Sequence, residues 1–286
     1  MAILNLSELI EHCTKHGYQL PMINIQSLPV LKGVVAWAKK HDIPFLASID
    51  GIQVENGLIP SIEQILQNEA VSASIVARRI TNEKQAIEAI RCGCQALFLA
   101  HDSDAIEQTA QACGIITQTE DAIASNFQEI EQLIEFNELV KQEIASWHEL
   151  ELIVTMTTIE ALDSFAEQSS AKGMARDVKA KCKLYAPVEH LIIYNSSVDE
   201  AQTRQAAQIG ATILDNIPGV RATWRGEAVK ADAQYQWCWL IRFANEAVID
   251  SYRDHPQHVA YANEQFRPIA GNRVSIDYTL FAPEND

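Results

Sequence analysis

VEHLIIYNSSVDEAQTRQAAQIGATILDNIPGVRATWRG, residues 188–226, is the stretch that decides the architecture. Val188–Tyr194 is an apolar run interrupted by Glu189 and His190, as in a strand that packs on one face. Ser197 or Asp199 then opens a helix that runs to Leu214. Ile217-Pro218-Gly219-Val220 turns the chain, and Val220–Gly226 reads as the next strand. Downstream, Gln234–Phe243 is a third strand, with Trp237 and Trp239 on one face because strand side chains alternate. Glu246–Arg253 and Pro256–Arg267 are helices, and Arg273–Phe281 is the last strand. The order β-α-β-β-α-α-β is a ferredoxin-like α+β plan with one extra helix.

The chain before this stretch has another rhythm. Leu6, Leu9, Ile10 and Cys13 have helical spacing, with Ser7 as N-cap. Leu20–Ile25, Pro44–Ile49, Val71–Ala77 and Ala96–Ala100 are short apolar runs of the buried-strand kind. Val30–Lys40 and Glu83–Arg91 are helical between them, and Gly93 stands where a helix-ending glycine belongs. Alternating strands and helices imply an α/β domain with a parallel sheet and right-handed crossovers. From Glu120 to Glu151 there are nine acidic residues and one basic residue. Phe127, Ile130, Ile134, Val140 and Ile144 fall near one face of a long surface helix there, and Leu150–Met156 is a further strand. Ser169–Lys183 reads as a helix end plus linker that Pro187 closes. The expected domains are therefore residues 1–183 and 187–282.

A chain of 286 residues accommodates two ordinary domains, and 48% hydrophobic residues suffice for two cores. The formal net charge of -16 argues against a nucleic-acid or anionic-membrane partner. No apolar run is long enough to span a bilayer. The opening MAILNLSELIEH is too polar for a secretory signal. Cytoplasmic placement with reduced thiols is expected, the six cysteines serving as small buried hydrophobes. Cys92 and Cys94 form a CxC with no second pair at zinc-finger spacing.

The motif that carries chemistry is YRDHPQH, Tyr252 to His258. Pro256 suits the first turn of a helix, His255 flanks its start, and His258 lies in that turn. A helix N-terminus disfavours an imidazolium, which leaves His258 neutral and able to act as a base. A first-turn histidine is equally a hydrogen-bonded packing residue. VEHLIIY, NIPGVRATWRG, QYQWCWLIRF, SYRDHPQHVAY and VSIDYTLF together resemble the stress-responsive A/B barrel (Dabb) family over the whole C-terminal half. That resemblance implies a homodimer whose two four-stranded sheets close into one barrel. In its cyclase branch, a Tyr and a His at the positions of Tyr252 and His258 serve proton transfer on a polyketide. By carry-over, Tyr252 orients or polarises a carbonyl and His258 moves the proton. His190 lines the same pocket or caps it. Trp237 stands where that branch has a further His, and its indole narrows the cavity.

LSELIEHCTKHGYQLPMINIQSL (residues 6–28), AWAKKHDIPFLAS (36–48) and Ala73–Leu99 are similar to a shortened class II fructose-bisphosphate aldolase. The resemblance implies an incomplete TIM-barrel-like domain, because an eight-strand barrel takes at least about 200 residues. Only Asn24 matches the family's G-A-F-N strand pattern. Where the family carries the zinc-binding H-x-D-H, this chain has Ala77-Arg78-Arg79-Ile80, and guanidinium is no zinc ligand. No cofactor and no metal are therefore expected. Arg78 and Arg79 receive an anionic group or pair with Glu83 or Asp102. His101-Asp102-Ser103-Asp104 follows a strand end and either holds a ligand or caps the next helix. His12 and His16, at i and i+4, offer two metal ligands with no third in sight, next to Lys15.

These readings rank as follows. First comes a dimeric, catalytically degenerate aldolase relative fused to a small-molecule-binding barrel. Second is a carbon–carbon lyase or aldol-type cyclase acting through His258 and Tyr252. Third is a divergent metal-dependent aldolase.

Overall fold

A computed structural model describes residues 3–119, 127–130 and 162–280 of the chain. They form two compact units. The first is built from residues up to Tyr185, the second from Ala186 onward, and Ile90–Cys92 and Glu107–Ile115 group with the second.

Up to Tyr185 the chain runs α1 (Leu6–His16), β1 (Leu20–Asn24), α2 (Leu28–His41), β2 (Phe45–Asp50), α3 (Gly51–Glu55) and α4 (Ile59–Glu69). There follow β3 (Ala73–Ile80), α5 (Glu83–Arg91), β4 (Ala96–Leu99), α6 (Asp104–Ala112), β5 (Ile116–Thr119), β6 (Phe127–Ile130) and α7 (Ala175–Lys181). The sheet order is β5-β4-β3-β2-β1-β6, and all its ladders are parallel. Residues of β1 and β4 are buried throughout, and so are those of β2 and β3 except Asp50 and Arg79. Burial on both faces is why these strands read as unbroken apolar runs rather than alternating ones.

Several expectations are corrected. Asn5, not Ser7, caps α1: its backbone is extended and its Oδ1 accepts the Glu8 N–H at 3.2 Å, whereas Ser7 is already inside the helix. Phe127–Ile130 is a strand paired in parallel with β1, not part of a helix. Two apolar residues three apart fit a helix face, but pairing along the edge of β1 overrides local pattern. The rest of the acidic stretch and the strand expected at Leu150–Met156 lie outside the described residues. The stretch read as a helix end plus linker contains α7, and α3 and α4 have no counterpart in the sequence reading.

The second unit runs β7 (Val188–Ser196), α8 (Glu200–Leu214), β8 (Val220–Glu227), β9 (Trp237–Phe243), α9 (Val248–Asp254), α10 (Pro256–Tyr261), a π-helical turn (Ala262–Phe266) and β10 (Ala270–Thr279). Its order β10-β7-β9-β8 is antiparallel throughout and ferredoxin-like. Asp199 caps α8 by accepting the Gln202 N–H at 2.8 Å.

Strand alternation gives this sheet two different faces. Tyr194, Trp239, Ile241 and Phe243 are buried, and Tyr252, Tyr261 and Phe266 of the helical layer stack on that side. Ile276, Leu191, Leu240 and Trp224 lie in one register row across all four strands on the opposite face. At the ends of that row Trp224 is 45% exposed and Ile276 42% exposed.

Candidate functional site

The second unit brings Tyr252, His258 and His190 together. Tyr252 is buried near the end of α9, and Pro256 in the first turn of α10 reverses the chain so that His258 comes back onto it. The Tyr252 and His258 ring centroids are 4.3 Å apart. His190, on the helix-facing side of β7, lies 6.1 Å from Tyr252 and stacks on Phe243 at 5.6 Å. Phe243 in turn is 4.8 Å from Tyr252.

The hydrogen bonds fix the tautomers. His258 Nδ1 is 2.9 Å from the Arg253 carbonyl. A carbonyl only accepts, so Nδ1 carries the proton and Nε2 keeps a lone pair in the neutral ring. Burial holds the His258 imidazole below its usual pKa, and the neighbouring His190 pushes the same way. His190 Nδ1 is 2.7 Å from Asp277 Oδ1, so it too presents Nε2, with Ser275 Oγ at 3.5 Å. Burial pushes the Tyr252 hydroxyl well above the usual phenol range. The cluster therefore gathers two imidazoles and a neutral phenol, the inventory of general acid–base chemistry.

His255 is the N-cap of α10, accepting the Gln257 N–H at 3.3 Å. Trp237 does not join the cluster. It pairs in register with Tyr194, whereas His190 pairs with Ile241 further along β9. It lines a separate cavity of about 290 Å³ with Tyr194, Arg204, Gln208, Arg225 and Glu227, and the Arg204 guanidinium lies over its ring at 5.4 Å. Sequence reasoning missed Asp277. Only the β10–β7 register, which sets Asp277 opposite His190, reveals it.

The first unit gathers polar groups at the C-terminal ends of β1, β2 and β3, where α/β sites lie. Asn24 Nδ2 donates to Asp50 Oδ2 at 3.2 Å, and Arg79 NH1 donates to the same oxygen at 2.9 Å. Asn24 Oδ1, Ser48 Oγ, Asp50 Oδ1 and Gln53 Oε1 are buried and have no hydrogen-bond partner among the described residues. Arg79 has φ of 50°, a strained value for a residue with a Cβ, at a register shift between β3 and β4. Arg78 beside it is buried. His101 and Asp102 are exposed just before α6, which begins at Asp104 with Ser103 preceding it. The described groups at this strand end are amide, hydroxyl, carboxylate and guanidinium, and no imidazole is among them.

Among the described residues no helix is long and apolar enough to cross a membrane. The comparisons with known proteins concern each unit separately. A Dabb family protein with a ferredoxin-like fold from Mesorhizobium loti is 21% identical over 34% of this chain and 99% of its own, with a TM-score of 0.32. A dimeric ferredoxin-like protein from Thermobifida fusca is 20% identical over 33% of this chain and 92% of its own, at 0.30. A protein provisionally assigned as a fructose-1,6-biphosphate aldolase, from Coccidioides immitis, is 9% identical over 59% of this chain and 96% of its own, at 0.48. No curated protein matches the sequence. The antiparallel four-stranded unit is, over residues 188–280, similar to the Stress responsive A/B Barrel Domain, whose family model matches that span.

Proposed function

We propose that the C-terminal unit binds a small molecule bearing a carbonyl group and moves a proton beside it, as a carbon–carbon lyase or aldol-type cyclase does. The carrying observation is the 4.3 Å contact between Tyr252 and a His258 whose Nδ1 is tied to the Arg253 carbonyl. In this reading Nε2 of His258 takes the proton, Tyr252 donates to the carbonyl oxygen, and the Asp277-oriented His190 holds or relays a second proton. No cofactor is needed for such a step. The test follows α-proton exchange of an acetoacetyl thioester in D₂O by NMR. A positioned base contributes about 10²–10⁴-fold, so His258→Ala should slow exchange by that order and Tyr252→Phe should slow it too. Equal exchange in the wild type and both variants overturns the proposal.

The same unit is proposed to pair with a second copy of itself through the Ile276–Leu191–Leu240–Trp224 row. A two-fold axis sets this apolar row against its own image, which buries it without any other partner. Residues 187–282 would then be the dimeric A/B barrel and residues 1–183 a catalytically degenerate aldolase relative. Support for the second part is the sequential strand order from β1 to β5, with β6 on the other side of β1 as in a partly built barrel. The two arginines where the zinc-binding motif stands in aldolases add to it. Fructose-1,6-bisphosphate with added zinc should accordingly go uncleaved. Four buried and two half-buried cysteines support a cytoplasmic setting.

A further inference from the structure

A carboxylate far along the chain completes the histidine pair on α1. His12 and His16 lie one helical turn apart, with ring centroids 4.2 Å apart and planes inclined at 24°. Asp177, in the first turn of α7, places Oδ2 2.9 Å from His12 Nε2. One ligand atom from each of the three lies within 4.8 Å of the other two. Two imidazoles and a carboxylate are a recurrent three-residue set for zinc and similar ions, with a fourth position left for water.

The surroundings match what such a site requires. Metal-binding imidazoles are held through their second nitrogen by an outer partner, and His12 Nδ1 lies 2.9 Å from the Tyr18 hydroxyl. With Nδ1–H donating to the phenol oxygen, the Nε2 lone pair faces a carboxylate oxygen. A cation between those two acceptors satisfies both. In the opposite tautomer Tyr18 donates and Nε2–H binds Asp177, which is a sound metal-free arrangement. Burial is graded across the set. The His12 side chain is 5% exposed, that of Asp177 is 38% exposed, and His16 is exposed, so one side stays open for an ion to enter. Lys181 Nζ, 2.8 Å from the Asp177 carboxylate, already shows that a cation is held there, and it is the group an incoming ion displaces.

We propose that His12, His16 and Asp177 form a binding site for a divalent transition ion of the zinc class, on α1 and α7 rather than at the strand end where aldolases hold theirs. The full-length protein, stripped with a chelator and dialysed, is titrated with zinc chloride by calorimetry, and cobalt(II) spectra are recorded in parallel. Expected are one ion per chain, at least tenfold weaker binding in both His16→Ala and Asp177→Asn, and a visible cobalt band without the near-ultraviolet thiolate charge-transfer band. His16 is exposed, so its variant keeps the fold. Absence of stoichiometric binding, undiminished affinity in His16→Ala, or a thiolate band that marks cysteine ligation would each overturn the proposal.

Discussion

Replacing Ile276 by Asp tests the self-pairing of the C-terminal sheet with the least disturbance of the protomer. Ile276 lies on the edge strand β10, opposite Leu191, and is 42% exposed. Fully burying an isoleucine side chain is worth about 1.5–3 kcal/mol, so covering the exposed 42% contributes about 0.6–1.3 kcal/mol per copy. Two-fold symmetry doubles this to about 1.3–2.5 kcal/mol per dimer. The aspartate adds the larger effect, because an unpaired carboxylate taken out of water costs several kcal/mol. The dimer dissociation constant should therefore rise by at least about 100-fold, since each 1.4 kcal/mol is a factor of ten. In the isolated protomer the same change is a surface substitution, worth within about 0.5 kcal/mol. Sedimentation velocity over a range of concentrations reads the first number, and urea unfolding of the monomeric fraction reads the second. Val229, fully exposed after β8, supplies the control: Val229→Asp should leave both unchanged. An Ile276→Asp protein that dimerises as the wild type does, or a wild type that is monomeric at 100-fold the concentration of the assay, would show that this face is covered by something else.

Two further predictions concern the helical layer of the same unit. A Cβ at Gly210 would stand 2.3 Å from both Cζ and the hydroxyl oxygen of Tyr261, whose ring is buried and whose hydroxyl donates to the Ala206 carbonyl at 3.1 Å. Overpacking of about 1–3 kcal/mol then outweighs the helix preference of Ala over Gly, about 1 kcal/mol, so Gly210→Ala should lower the urea midpoint; a higher midpoint would refute the packing argument. Burial holds the imidazoles of His258 and His255 below their usual pKa in the folded chain. The unfolded chain therefore binds more protons just below pH ~6.5. Their contribution to stability is complete above that pH and is lost as the pH falls toward the lowered folded values. The melting temperature should drop between pH 7.5 and 5.5, and less so in His258→Gln; an equal drop in both proteins would remove His258 from the explanation.

How far the sequence could be read depended on how far apart the cooperating residues lie. The parallel strands were legible because burial on both faces leaves an unbroken apolar run, as at Leu20–Asn24 and Ala96–Leu99. The helix Ile59–Glu69 was not, because its N-cap is Leu58, which forms no side-chain cap hydrogen bond. Phe127–Ile130 was misread because four residues carry too little periodicity to outweigh the acidic, helix-like sequence around them. At the candidate site, Tyr252 and His258 are six positions apart around a proline, a separation that local rules can bridge. Asp277 is a partner of His190 only through strand register, and Asp50 is a partner of Arg79 only through the β2–β3 ladder. Asp177 stands 165 positions from His12, beyond any pattern in one sequence.

Three imidazoles in this chain share one arrangement and differ in what they face. His12, His190 and His258 each have Nδ1 engaged, by a phenol, a carboxylate and a backbone carbonyl respectively. At His258 and His190 Nε2 is the nitrogen left to act, whereas His12 Nε2 lies 2.9 Å from Asp177 Oδ2. At His258 and His190 the neighbours are Tyr252 and another imidazole, and among the described residues no carboxylate is bonded to either Nε2. Burial at His258 favours a neutral ring, which exchanges protons with a bound molecule. At His12 the group in front of Nε2 is the Asp177 carboxylate, with His16 stacked alongside. There, in the proposed site, the same nitrogen is one of several convergent electron-pair donors for a cation. Chelation with EDTA should therefore leave proton exchange at His258 unchanged while abolishing zinc binding at His12, because the two sites depend on different partners for the same ring atom.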